Sequence, residues 1–159
     1  MAEKWFLKID GVEGESTDAA HKGEIDVLSW SWGMAQPTSG SGAGASSGKP
    51  KFQDFTFVAR ISKASPKLFL AAATAVHFKW AAVAGVRIAS KSKASPFLTY
   101  KLSDVLVSSV QHSLDESAVP TESITMKYGK FEISYRPSSS SGKLGPPVEA
   151  GFDLKLNKV

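Results

Sequence analysis

Serine, histidine and carboxylate side chains are where chemistry would begin in this sequence, so their spacing is the first thing to weigh. Gly44-Ala45-Ser46-Ser47-Gly48 matches the Gly-x-Ser-x-Gly pattern of a serine nucleophile. That pattern works only where the serine sits on a sharp turn between a strand and a helix. Here it lies within a Gly/Ser/Ala run that leads toward another strand pattern, so no activated hydroxyl is expected. The same run lacks the Gly-Lys-Ser/Thr ending of a phosphate-binding loop. His21, His77 and His112 are far apart and form no metal-ligand spacing. His77 falls where a helix is expected to end, a position that favours a cation. Carboxylate pairs such as Glu24/Asp26 and Asp115/Glu116 read as surface charge on strand ends and turns rather than acid–base partners. Cysteine is absent, which removes disulfides, thiolate nucleophiles and thiolate metal sites. The expectation is a protein with no catalytic site, no metal and no cofactor.

The elements that would position any site are mostly strands. Period-two alternation runs through Trp5–Ile9, Ile25–Met34, Phe52–Ile61, Phe78–Ala89, Phe97–Val110, Ser123–Tyr135 and Phe152–Leu156. In the second of these, Leu28, Trp30, Trp32 and Met34 share one face and Val27, Ser29, Ser31 and Gly33 the other. About seven strands separated by turn-rich stretches predict an all-β barrel or two-sheet sandwich. One segment breaks the pattern. Ser65-Pro66 can start a helix, and Leu68, Phe69, Ala72 and Val76 follow at helical spacing, giving one short helix over 66–76 packed on the barrel. The 159 residues suit a single domain over 1–159, with flexible loops at 37–49 and 138–147.

The formal net charge of +4 is unevenly spread. Residues 1–26 hold seven acids against three lysines, whereas 49–101 hold ten basic residues and the single acid Asp54. Such a basic half suits a nucleic-acid binder, but no arginine-rich arm or known nucleic-acid motif accompanies it. Segregated charge also suits head-to-tail stacking of subunits. No run of eighteen apolar residues is present, so no spanning helix and no direct membrane insertion are expected. The N-terminal alternation of charged and apolar residues is unlike a cleaved secretory signal.

Glu24-Ile25-Asp26-Val27-Leu28-Ser29-Trp30-Ser31-Trp32-Gly33-Met34 resembles a signature segment of the Hcp tube proteins of type VI secretion. Gly14-Glu15-Ser16, His21, Gln53-Asp54-Phe55, Ser65-Pro66, Leu106–Val110 and Glu122–Tyr135 match in the right order, so the resemblance covers nearly the whole chain. It departs at 37–49, at the alanine-rich 71–75 and 81–84, and in the C-terminal Ser/Gly stretch.

The resemblance implies a homo-hexameric ring, stacked ring on ring into a tube that works with a spike and a contracting sheath. It also implies small effector proteins held inside the ring, assembly in the bacterial cytoplasm, and export by the machine rather than by a signal peptide. Set beside the alternation, it points to Ser31 and Ser29 as lumen-facing, with a plain solvent face as the alternative. Trp30 and Trp32 then belong to the core or to a subunit interface. Ring stacking is expected to use the acidic Glu13, Glu15, Asp18 and Glu24 together with Lys49 and Lys51. A tail-tube-like subunit of another contractile machine and a basic nucleic-acid-binding domain remain the alternatives.

Overall fold

A computed structural model describes residues 2–39, 46–88 and 95–159. The strands are β1 (Glu3–Ile9), β2 (Ile25–Ser31), β3 (Met34–Ala35), β4 (Thr38–Ser39), β5 (Ser46–Ser47), β6 (Lys51–Phe52) and β7 (Phe55–Arg60). One helix, α1 (Ser65–Thr74), precedes β8 (His77–Arg87), β9 (Pro96–Ser113), β10 (Thr121–Lys127), β11 (Lys130–Tyr135) and β12 (Val148–Asp153). Six antiparallel strands run in the order β10-β7-β2-β1-β8-β9, and β9 pairs back onto β10 to close a barrel. Closure removes the exposed edges of those strands. The all-β expectation with one short helix is what the chain adopts.

The long strand β9 makes the architecture possible. One edge pairs with β8 from Pro96 to Leu106. The other edge is shared: Leu106–Ser113 pairs with β10 and Leu98–Ser103 with β11. The single strand expected over 123–135 is therefore two strands, broken at Tyr128-Gly129, because the chain stops closing the barrel there and begins a flap. That flap is β11 with β12 on its outer side.

The barrel is filled by the inward side chains of its strands, including Leu7, Ile9, Phe55, Phe57, Val83, Leu102, Val105, Ile124 and Met126. Removing such apolar surface from water is the main stabilising term. Phe6 faces the other way and is also buried, stacked on the His21 ring at 4.3 Å beneath the 11–24 loop.

Three local readings needed correction. The expected facing of Ile25–Met34 is interrupted by a bulge between Val27 and Ser29. Ile25 and Val27 point into the core, Leu28 is 52% exposed, and Trp30 and Trp32 turn inward again. A single extra residue in one strand resets the alternation.

The helix buries Leu68 and Ala71, whereas Phe69 and Val76 of the expected stripe are exposed. Ser65 does not cap it: its hydroxyl accepts from the Ser62 N–H and donates to Glu122. The helix stops at Ala75, which is left-handed (φ 54°), and His77 opens β8 rather than closing the helix.

The last strand is Val148–Asp153, not 152–156. Asp153 Oδ1 accepts from the backbone N–H groups of Lys155 and Leu156, turning the chain and leaving Leu156 exposed.

Both low-complexity stretches contain ordered pairing. Thr38–Ser39 pairs with Ser46–Ser47, while 40–45 lie outside the described residues. In 138–147, Ser138 bridges Leu144, the Ser139 N–H donates to the Lys143 carbonyl, and Arg136 Nε donates to the Gly145 carbonyl. Backbone hydrogen bonding orders these serines and glycines, which composition alone does not reveal.

Where β9 leaves the barrel ladder, Asp104 takes a left-handed φ of 55° and binds both His77 Nδ1, at 2.9 Å, and the Lys155 ammonium. The Lys155 hydrogen bond and then the His77 hydrogen bond hold its carboxyl below the usual aspartate range. A lowered folded pKa stabilises the fold above the unfolded pKa, and that contribution disappears as pH falls through the folded value. Asp104→Asn, which tolerates the same φ, is expected to flatten the acid limb of a stability–pH curve below about pH 4. The group is exposed, so the effect is small; an unchanged acid limb in urea titrations would count against the pairing.

Candidate functional site

Ser29 and Ser31 lie on the exposed side of β2, opposite Trp30 and Trp32, which pack on the core. Strand pairing then assembles what no single segment shows. Ser31 is paired with Thr56 of β7, Thr56 with Thr125 of β10, and Thr125 with Ser109 of β9. Four hydroxyl side chains thus form one row across four strands. Thr56 Oγ1 and Thr125 Oγ1 are 3.2 Å apart, and the Ser108 hydroxyl donates to the Thr125 carbonyl at 3.2 Å. The row containing Ser29 continues through Val58, Ser123 and Gln111.

Residues of opposite parity on the same strands, Trp30, Phe57, Ile124 and Val110, belong to or pack on the core. The result is a face rich in small neutral hydroxyls, with Lys127 and Asp54 paired at 3.5 Å at one end. Hydroxyls both donate and accept and can rotate to suit a partner. Thr56, Ser123, Thr125 and Ser109 were missed from the sequence. Their signal was the polar half of the alternation in β7 and β10, but which strands adjoin was not readable.

An aromatic layer supports this face. Trp30 meets Trp5, Tyr100 and Phe55 with ring centroids 5.2, 5.1 and 5.9 Å away. Trp32 contacts Tyr100, Phe131 and Tyr128 at 5.0, 5.3 and 5.6 Å, and its indole N–H donates to the Tyr128 hydroxyl at 2.7 Å. Edge-to-face geometry dominates, the arrangement that aromatic quadrupoles favour. Burial raises the Tyr128 and Tyr100 phenols above their usual range, so both stay protonated at neutral pH.

The expected stacking residues fall into two groups. Glu13, Glu15, Asp18 and Glu24 lie in the loop between β1 and β2. Glu13 pairs with Lys63 Nζ at 3.0 Å, Glu15 accepts from the Lys63 backbone N–H, Asp18 accepts from the Ala20 N–H, and Glu24 pairs with His21 Nδ1 at 3.0 Å. The acidic and basic segments are therefore not held apart as the sequence order suggested: Lys63 joins this loop, and Glu3 meets Arg87 at 3.5 Å. Antiparallel pairing of β1 with β8 brings the two segments together.

Lys49 and Lys51 are exposed on a separate feature, an arm built by the β3–β6 and β4–β5 pairings that leaves the barrel between β2 and β7. The arm also holds Ser46 of the nucleophile-like motif, which sits in β5 with strand β6 following.

His112 lies 3.5 Å from Glu122, a carboxylate only 2% exposed that also accepts from the Ser65 hydroxyl at 2.5 Å. Glu122 ties β10 to the start of α1, a structural use of a buried acid. Among the described residues, no helix is long and apolar enough to cross a membrane.

Comparison with known proteins agrees with this architecture. Residues 6–135 match the family described as type VI secretion system effector, Hcp. The protein Hcp1 of Pseudomonas aeruginosa is 39% identical over 161 residues, covering 99% of this chain and 98% of that protein. The crystal structure of Hcp1 from Salmonella typhimurium superposes with a TM-score of 0.81 at 32% identity, covering 99% of both chains. A structure described as a type six secretion system protein gives a TM-score of 0.91 at 31% identity over 99% of both chains. The chain belongs to the Hcp family of type VI secretion tube proteins.

Proposed function

We propose that this tube protein assembles as a homo-hexameric ring, that rings stack into a tube, and that the hydroxyl face of β2, β7, β10 and β9 lines the lumen and holds effector proteins for export. The observation that carries the reading is the four-strand row Ser31–Thr56–Thr125–Ser109. A wall that must admit unlike proteins gains from groups that bond either way and carry no fixed charge to desolvate. The aromatic layer behind the row supplies rigidity. In this reading the protein acts by binding and assembly without a catalytic step. It is built in the bacterial cytoplasm and leaves through the machine, in contact with sheath and spike, and uses neither nucleic acid nor membrane insertion.

Stacking is assigned to the arm and to the acidic loop of the next ring. Lys49 and Lys51 are exposed and free to meet carboxylates such as Asp18 across the ring boundary. Each exposed ion pair is worth only about 0.2–1 kcal/mol and weakens with salt, but symmetry repeats it around the ring.

Electron microscopy of the purified chain is expected to show rings, and tubes at higher concentration. Reversing both charges, Lys49→Glu with Lys51→Glu, is expected to remove tubes while rings persist. Added salt should act in the same direction on the parent chain. Tubes unchanged by the reversal would overturn the stacking assignment, and a monomer at every concentration would overturn the ring.

A further inference from the structure

The ladder that would fix the arm to the barrel is interrupted at its root. Pairing of β2 with β7 ends at Ser31 with Thr56, and pairing within the arm resumes at Met34 with Phe52. Across the gap, one backbone bond joins the two strands, from the Gln53 N–H to the Gly33 carbonyl at 2.9 Å. A narrow two-stranded ribbon twists readily and is only marginally stable alone, so its direction must be set by something else.

Tyr128 occupies the gap. Its hydroxyl accepts from the Trp32 indole N–H at 2.7 Å and donates to the Gln53 carbonyl at 2.8 Å. One buried oxygen thus holds the outgoing strand by a side chain and the returning strand by its backbone. Tyr128 is also the residue at which β10 gives way to β11. From the arm, Phe52 reaches the flap and packs against Phe131 and Phe152 at 5.6 and 5.4 Å. Arm, barrel and flap therefore meet at this phenol.

We infer that Tyr128 is a positioning residue for tube assembly: its hydroxyl fixes the angle at which the arm leaves the barrel, and hence where the arm meets the next ring. The inference rests on the arm being the stacking element.

Tyr128→Phe keeps the ring contacts and removes both hydrogen bonds. The chain has no native cysteine, so Lys49→Cys on the arm and Lys79→Cys on β8 can carry spin labels. With labelled subunits diluted into unlabelled ones, the parent should give a narrow distance distribution and Tyr128→Phe a broad one. In unlabelled protein, Tyr128→Phe should raise the concentration at which tubes form about tenfold while rings persist. Trp32→Phe should behave alike, and the double variant should be no worse than either single one, because all three break the same bridge.

An unbroadened distribution or an unshifted tube threshold overturns the inference. So does a Tyr128→Phe chain that loses rings and tubes together, since the residue is then merely structural. The charge-reversed arm separates the two readings. If that variant still forms tubes, the stacking role of the arm fails. If it forms none while Tyr128→Phe matches the parent, only the positioning role fails.

Discussion

Aspartate at both Ser31 and Thr56 is expected to lower effector retention about tenfold or more while rings still form. The two positions are cross-strand partners on the exposed side of β2 and β7, so new carboxylates need not enter the core. Bound cargo, however, would cover them. A charge covered without a partner loses its hydration and gains nothing in return.

In the proposed ring, symmetry repeats the penalty in every subunit. Lysine at the same two positions separates the possible causes. Loss with both signs of charge indicates desolvation, whereas loss with one sign alone indicates repulsion by the cargo itself. Co-purification of effector with the ring, scored beside ring assembly, is the measurement. Cargo retained at the parent level in an intact charged ring would refute the lumen assignment of this face.

The second large effect concerns stability. Trp30→Ala is expected to destabilise the isolated subunit by about 3 kcal/mol in denaturant titration, because it removes a ring packed among Trp5, Phe55 and Tyr100 and leaves a cavity. Phe69→Ala on the outer side of α1 is the contrast. Phe69 is 51% exposed, so its loss should cost the subunit no more than about 0.5 kcal/mol. Similar losses at the two positions would mean that Trp30 serves an interface between subunits rather than the core of one.

Strand identity was legible in the sequence because alternation is local. Phe55, Phe57 and Ala59 share one face of their strand by alternation alone, and all three are buried. The setting of Ser46 was local too: another strand, not a helix, follows it. What failed was register. The extra residue at Leu28 shifts one face by a single position, and nothing in Val27-Leu28-Ser29 marks it. The break at Tyr128-Gly129 left a trace, since the apolar positions change parity from Ile124, Met126 and Tyr128 to Phe131 and Ile133. The reading of one strand over 123–135 passed over it, and the change of backbone partners there is visible only in the pairing.

The site divides along the same line. Ser29 and Ser31 could be placed opposite Trp30 from sequence, by the two-residue period of a strand. Thr56, Thr125 and Ser109 could not be added, because they lie 25 or more residues away in sequence and join Ser31 only through the pairing of four strands. Charge misled for that reason too: the acidic and basic segments are distinct in order but interleaved in space.

By itself the sequence determined the class of element, the inward and outward sides of most strands, and, through its signature segments, the family. Only the tertiary structure decided which outward sides share a surface and which buried oxygen holds the arm. Side-chain alternation is a property of one strand, whereas a surface is a property of the order and register in which strands pair.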